Sequence, residues 1–204
     1  MKHNLLLKSL LSVVLVTASL TSNANTINFD VTGAPGLFVD TTPLTNLYAG
    51  QGVTFSGIFG AGGSILNQNG NFGFNAHSGT DFLGFNTEVG TGFQELISFD
   101  TAVNNVSIWS NSVFTGSNFL MEAFNASNEL VNAFSYNTTG PSWVQSVVTG
   151  ADIFKVRLTA SQAQYYAYDD LDYTPASAVP LPAALPLMLS GLGLLGFVRR
   201  NRKV

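Results

Sequence analysis

The residues best suited to chemistry lie late in the chain, in Tyr166-Ala167-Tyr168-Asp169-Asp170-Leu171. If residues 167–173 form a strand, Ala167, Asp169, Leu171 and Tyr173 share one face, and Tyr168, Asp170 and Asp172 share the other. The first set is otherwise apolar, so Asp169 is expected to point inward. A buried carboxylate has to be paired, hydrogen-bonded or bound to a metal. Between residues 25 and 178 the sequence offers only Lys155 and Arg157 as cations against twelve carboxylates, a net charge of −10. A hard divalent ion with oxygen ligands would answer that shortage, and Ca²⁺ accepts carboxylates and carbonyls flexibly. The first and last strands of a sandwich are often neighbours, which would bring Asp30 beside Asp169 or Asp170 and complete a candidate calcium set. The competing reading has Asp169 capping a turn or bonding a tyrosine hydroxyl, with Asp170 and Asp172 solvated.

Aromatic side chains are the second candidate. Sugars stack on exposed rings, and Trp109, Trp143 and Tyr166 are the candidates for glycan stacking, with Tyr165 and Tyr168 close by. Large aromatics at strand spacing usually belong to a core. Catalytic sets are poorly represented. Cysteine is absent, and the one histidine beyond the first residues is His77, in a Gly/Asn-rich stretch without a nucleophile-elbow motif. A lone histidine there reads as a solvated surface residue. Glu88, Glu95, Glu122 and Glu129 could supply a glycosidase pair, but any acidic domain would offer as much. No catalytic residue is assigned, and the expectation is a protein that is not an enzyme.

The elements that must position these residues read as β-structure. The 204 residues are 46% hydrophobic and only 10% charged, with 20 glycines, which excludes charge-driven disorder and a disulfide scaffold. The acidic body would repel phosphate backbones, so no nucleic acid is expected as a partner. Residues 25–178 show alternating β-branched and aromatic segments broken by Gly, Asn, Ser and Pro. Candidate strands are 26–31, 52–59, 81–85, 93–99, 103–109, 119–125, 130–136, 143–148, 154–160 and 167–173. Ten short strands suit one all-β domain, an antiparallel two-sheet β-sandwich of jelly-roll type. Residues 44–92 are the loosest part and are expected to form rim loops.

The two ends read as addresses. Residues 1–24 have the form of an export signal. Lys2 and Lys8 precede an apolar stretch, and Ser22-Asn23-Ala24 supplies small residues for signal peptidase. At the other end Val179-Pro180-Leu181-Pro182-Ala183-Ala184 leads into an uncharged run to Val198, then Arg199, Arg200, Arg202 and Lys203. Sixteen residues of helix reach about 24 Å, and counting back to Val179 closes the distance to a bilayer core of about 30 Å. The basic cluster should stay cytoplasmic, so a single-pass precursor would sit in the inner membrane with its body outside.

Residues 179–204 resemble the PEP-CTERM sorting signal of Gram-negative bacteria: a proline-rich motif, one short transmembrane helix and an arginine cluster, in that order. Leu181 stands where the namesake motif has glutamate. The resemblance implies processing by an exosortase and delivery towards the cell surface. The body is similar to β-sandwich proteins found in front of such tails. Their IxFD, YxxxGVxF and aromatic-x-x-DDL segments correspond to Ile27–Asp30, Tyr48–Phe55 and Tyr166–Leu171. What these likenesses imply is a non-catalytic exported protein of the surface or extracellular matrix, associated with exopolysaccharide or biofilm. The alternatives are a calcium-dependent, lectin-like carbohydrate-binding module and an extracellular hydrolase.

Overall fold

The computed structural model describes residues 23–30, 44–57, 64–68, 73, 75–84, 94–161 and 166–176. All of these fall within the compact unit Ser22–Ser177. Residues 1–22 of the export signal, the 179–184 motif, the C-terminal apolar run and the basic cluster lie outside the described residues, as do Glu88 and Tyr165. Among the described residues no helix is long and apolar enough to cross a membrane.

Nine described strands form one antiparallel network: β1 (Asn25–Ile27), β2 (Val53–Gly57), β3 (Ser64–Asn67), β4 (Asp81–Gly84), β5 (Gln94–Ser112), β6 (Asn118–Phe124), β7 (Leu130–Asn137), β8 (Val144–Ala160) and β9 (Tyr166–Pro175). Their order is β3-β4-β9-β5-β8-β6-β7, with β1 on β9 and β2 on β5. Two corrections to the sequence reading follow. Segments 93–99 and 103–109 are parts of one 19-residue strand, and 143–148 and 154–160 are parts of one 17-residue strand. The breaks seen in the pattern are register shifts between Ser98 and Asn105, where both long strands turn a corner while still paired. Residues 64–67, expected to be loop, are a strand paired to β4.

The long strands serve two layers. Residues 94–98 of β5 lie between β2 and the end of β8, whereas residues 103–112 lie between β9 and the start of β8. The layers face each other, because strands remote in the ladder touch through their rings. Phe119 on β6 meets Tyr168 on β9 edge-on at 5.7 Å. Ser110 Oγ on β5 lies 2.8 Å from the Tyr136 hydroxyl on β7. Three ladder steps span about 14 Å in a flat sheet, so these contacts require a sheet folded over its own core. That is a β-sandwich, as the alternation implied.

The core between the layers is aliphatic and aromatic, with Phe55, Ile97, Val106, Ile108, Val156 and Leu171 fully buried. Phe29, Tyr48 and Phe55 form a triangle with centroids 5.9 Å apart. The IxFD and YxxxGVxF segments therefore meet in space. Within the second segment Gly52 (φ +76) makes the left-handed step that lets Val53 and Phe55 enter the core. Burial pushes the Tyr136 phenol up to about 12, against the pull of its Ser110 bond, and burial with the charge of Asp30 does the same to Tyr48. Both phenols ionise above their ordinary unfolded value of about 10, so the stability that they hold at neutral pH is lost as pH climbs through 10 to 12. An absorbance titration should show these two phenolates appearing together with alkaline unfolding. Separate titration near pH 10 with the fold intact would contradict this.

Candidate functional site

The site is built on the outer face of the layer containing β3, β4, β9 and the second half of β5. Directly opposed residues share a face, so the pairing of Trp109 with Gln145 on one side and Asp169 on the other places all three together. This departs from simple alternation. Trp109 pairs with Asp169 and Ser107 with Asp172, so β9 holds one extra residue here, and Asp170 takes it at φ +47. The bulge reverses the faces. Tyr166 and Tyr168 before it and Leu171 and Tyr173 after it all enter the main core, whereas Ala167 packs outside with Leu66, Phe82 and Trp143. The expected shared face of Ala167, Asp169, Leu171 and Tyr173 is thus broken at Asp170. Asp169 is buried as expected, at 0% exposure, beneath a loop.

That loop is Asn75-Ala76-His77-Ser78-Gly79-Thr80-Asp81, and three aspartates hold it. Asp169 Oδ2 accepts the backbone amides of His77 (2.8 Å) and Ser78 (3.2 Å), and its Oδ1 accepts the amide of Asp170 at 2.8 Å. Asp170 takes His77 Nδ1 and Ser78 Oγ, each at 2.6 Å, on separate oxygens. Asp30 Oδ1 accepts the amides of Thr80 (2.8 Å) and Asp81 (3.1 Å), while its Oδ2 takes Asn28 Nδ2 at 3.0 Å. Pairing of Ile27 with Leu171 on β1 and β9 brings Asp30 to this place, as the neighbouring-strand argument required. Burial pushes the Asp169 carboxyl up to about 7, the Ser78 amide pulls it down, and the charge of Asp170 raises it further.

The same loop carries His77 onto the aromatics. Its ring stacks on Trp109 at 4.0 Å and 17°, and Trp143 stands edge-on to it at 5.8 Å. Trp143 Nε1 donates to the Asn75 carbonyl at 3.0 Å, which fixes the indole against the loop. Of the three stacking candidates, Trp109 and Trp143 come together, half-buried. Tyr166 does not: it is packed against Tyr168 at 3% exposure and offers no face to a ligand.

His77, read from sequence as a solvated surface residue, is exposed as expected, but its place at the centre of the site, with Asn75, Ser78 and Gly79 around it, was missed. The signal that could have found it is a segment of small residues with free amides in a chain rich in carboxylates and poor in cations. Ser78 Oγ and His77 Nδ1 both bind Asp170, so Asp170 stands between the serine and the histidine, where a hydrolytic triad needs a direct serine–histidine bond. Of the carboxylates considered for a glycosidase pair, Glu95 is buried, Glu122 pairs with Arg157 at 2.8 Å and Glu129 binds Asn125. Among the described residues no group of three or more His, Asp or Glu side chains gathers around a metal position. Asp30 and the Asp169–Asp170 pair grip opposite ends of the loop.

No curated protein matches the sequence. Among solved structures the chain is similar to TmCBM61 in complex with β-1,4-galactotriose, at 14% identity over 67% of this chain and 100% of that one, with a TM-score of 0.40. It is similar to the CBM22-1 xylan-binding domain of Paenibacillus barcinonensis Xyn10C, at 14% identity over 79% of this chain and 100% of that one, TM-score 0.40. Likeness at that level transfers no residue and no ligand to this chain. The C-terminal segment is a different matter. The proline motif, the apolar run and the basic cluster fall within residues 178–203, which match the PEP-CTERM protein-sorting motif, so the chain carries that motif and with it the mark of export and C-terminal sorting.

Proposed function

We propose that the protein is a non-catalytic component of the cell surface or extracellular matrix that is processed by an exosortase and binds exopolysaccharide through the Trp143–His77–Trp109 cluster. One observation carries the reading: two tryptophans 34 residues apart in sequence are brought together, half-exposed, around a histidine whose ring is oriented by a carboxylate. Sugars are bound by flat apolar ring faces edged with hydrogen-bonding groups. Here Asp170, His77 and Gln145 provide the edge. The Nε1 bond of Trp143 to Asn75 pre-orients its ring, so little side-chain freedom is lost on binding.

The test is affinity electrophoresis of the full chain in mild detergent against the host's own exopolysaccharide, with Ca²⁺ and then with EDTA. Retardation is expected, and Trp143→Ala should weaken it at least tenfold, about 1.4 kcal/mol. Retardation that vanishes in EDTA would instead mark a calcium-dependent lectin. No retardation in either buffer would overturn polysaccharide binding and leave a sorted surface protein.

A further inference from the structure

We infer that the ligand at this cluster is a polysaccharide bearing free amino groups, with an ammonium held by Asp170 beside Trp143; the inference rests on the polysaccharide-binding reading above. Charge placement carries it. Lys155 and Arg157 are the sole Lys and Arg of residues 25–178, and both are committed elsewhere. Lys155 Nζ donates to Asn128 at 2.7 Å, and Arg157 pairs with Glu122 while covering the Phe124 ring at 5.1 Å. They pair across to β6, in the other layer from Trp109. The cluster has Asp170 beneath it, Asp30 and Asp81 at the far end of its loop, and Asp172 on β9, where it accepts from Thr26. Among the described residues His77 is the one group there that could carry positive charge, and Asp170 already engages it.

A chain of uronates or sulfates would bring like charge against these carboxylates, with no lysine or arginine among the described residues of the cluster to receive it. A neutral glycan meets no such penalty. A protonated amine gains a charge-assisted hydrogen bond and the field of an aromatic face. Asp170 has capacity for it, because each oxygen accepts one bond where it can accept two and the side chain keeps 15% of its surface exposed.

Co-sedimentation of the full chain in mild detergent at pH 6 with chitosan and with chitin, which share a backbone and differ in free amines, tests this. Wild type should bind chitosan at least tenfold more tightly than chitin. Asp170→Asn, which keeps a residue tolerant of positive φ, should bring that ratio close to one. Glu129→Gln, an exposed charge on the β6–β7 turn, should leave the ratio unchanged. A ratio near one for wild type, with binding to both polymers lost in Trp143→Ala, would overturn the amine assignment and leave polysaccharide binding standing. A ratio kept in Asp170→Asn, or lowered as much by Glu129→Gln, would show attraction to the acidic body as a whole and overturn the assignment. Sedimentation with neither polymer would overturn it together with the reading on which it rests.

Discussion

Replacing Gly79 by alanine is expected to cost about 2–3 kcal/mol of stability and to release the loop from the sheet. Gly79 sits at φ +55, and a Cβ placed there would lie 1.8 Å from Asp30 Oδ2 and 2.2 Å from its Cγ. The carboxylate would have to leave, and with it the bonds to the amides of Thr80 and Asp81. The part-buried amide of Asp81 would then lose its acceptor, which is the costly way to break a hydrogen bond, while the exposed amide of Thr80 could turn to water. Urea unfolding measures the loss, and the emission of Trp109 reports whether His77 has left its face. The cause is checked by a double-mutant cycle. Asp30→Ala removes the colliding group, so Gly79→Ala should cost less in that background than alone. Equal costs in both backgrounds would show that the clash with Asp30 is not responsible.

The second large effect concerns pH and runs against ordinary acid denaturation. Asp169 is raised by burial to about 7 from a carboxylate's usual value near 4. The folded state therefore binds a proton that the unfolded state does not between those two values. The stability from this group is full below about pH 4 and is lost as pH rises through 7. Acidifying from pH 8 to pH 5 should strengthen the wild type relative to Asp169→Asn by about 2–4 kcal/mol. The comparison is made from urea midpoints of the two proteins at both pH values. A difference that stays flat across that range would mean that the three amide bonds to the carboxylate outweigh its burial. Such a shift would also loosen the loop in alkaline surroundings, because a charged Asp169 is then held under it beside Asp170.

These two expectations fall on a loop that the pattern of residues left unread. Asp169 was expected to be buried through its apolar neighbours at i±2, but the bulge parts it from Leu171 and a loop buries it on the outer face instead; that Asp30 comes close followed from the pairing of end strands. What would receive them could not be foreseen. The acceptors are explicit in the sequence as Asp30 and Asp169, but the donors from the loop are the backbone amides of 77, 78, 80 and 81. Every residue type except proline carries such an amide, so no spacing announces it.

The strand alternation by itself determined that the body is a two-layered antiparallel β-sandwich, since period-two hydrophobicity in short runs can be buried in few other ways. The clustered proline, apolar and arginine residues likewise determined the sorting motif, because such a signal is read as a linear segment. Only the tertiary structure decided that β5 and β8 each cross both layers, that the extra residue at Asp170 turns Asp169 to the outer face, and that His77 lands on Trp109. A bulge is one residue's change of φ, and its consequence for facing is felt strands away. Contacts between positions 77, 109, 143 and 170 are fixed by where strands lie in the fold, and local sequence carries no record of that.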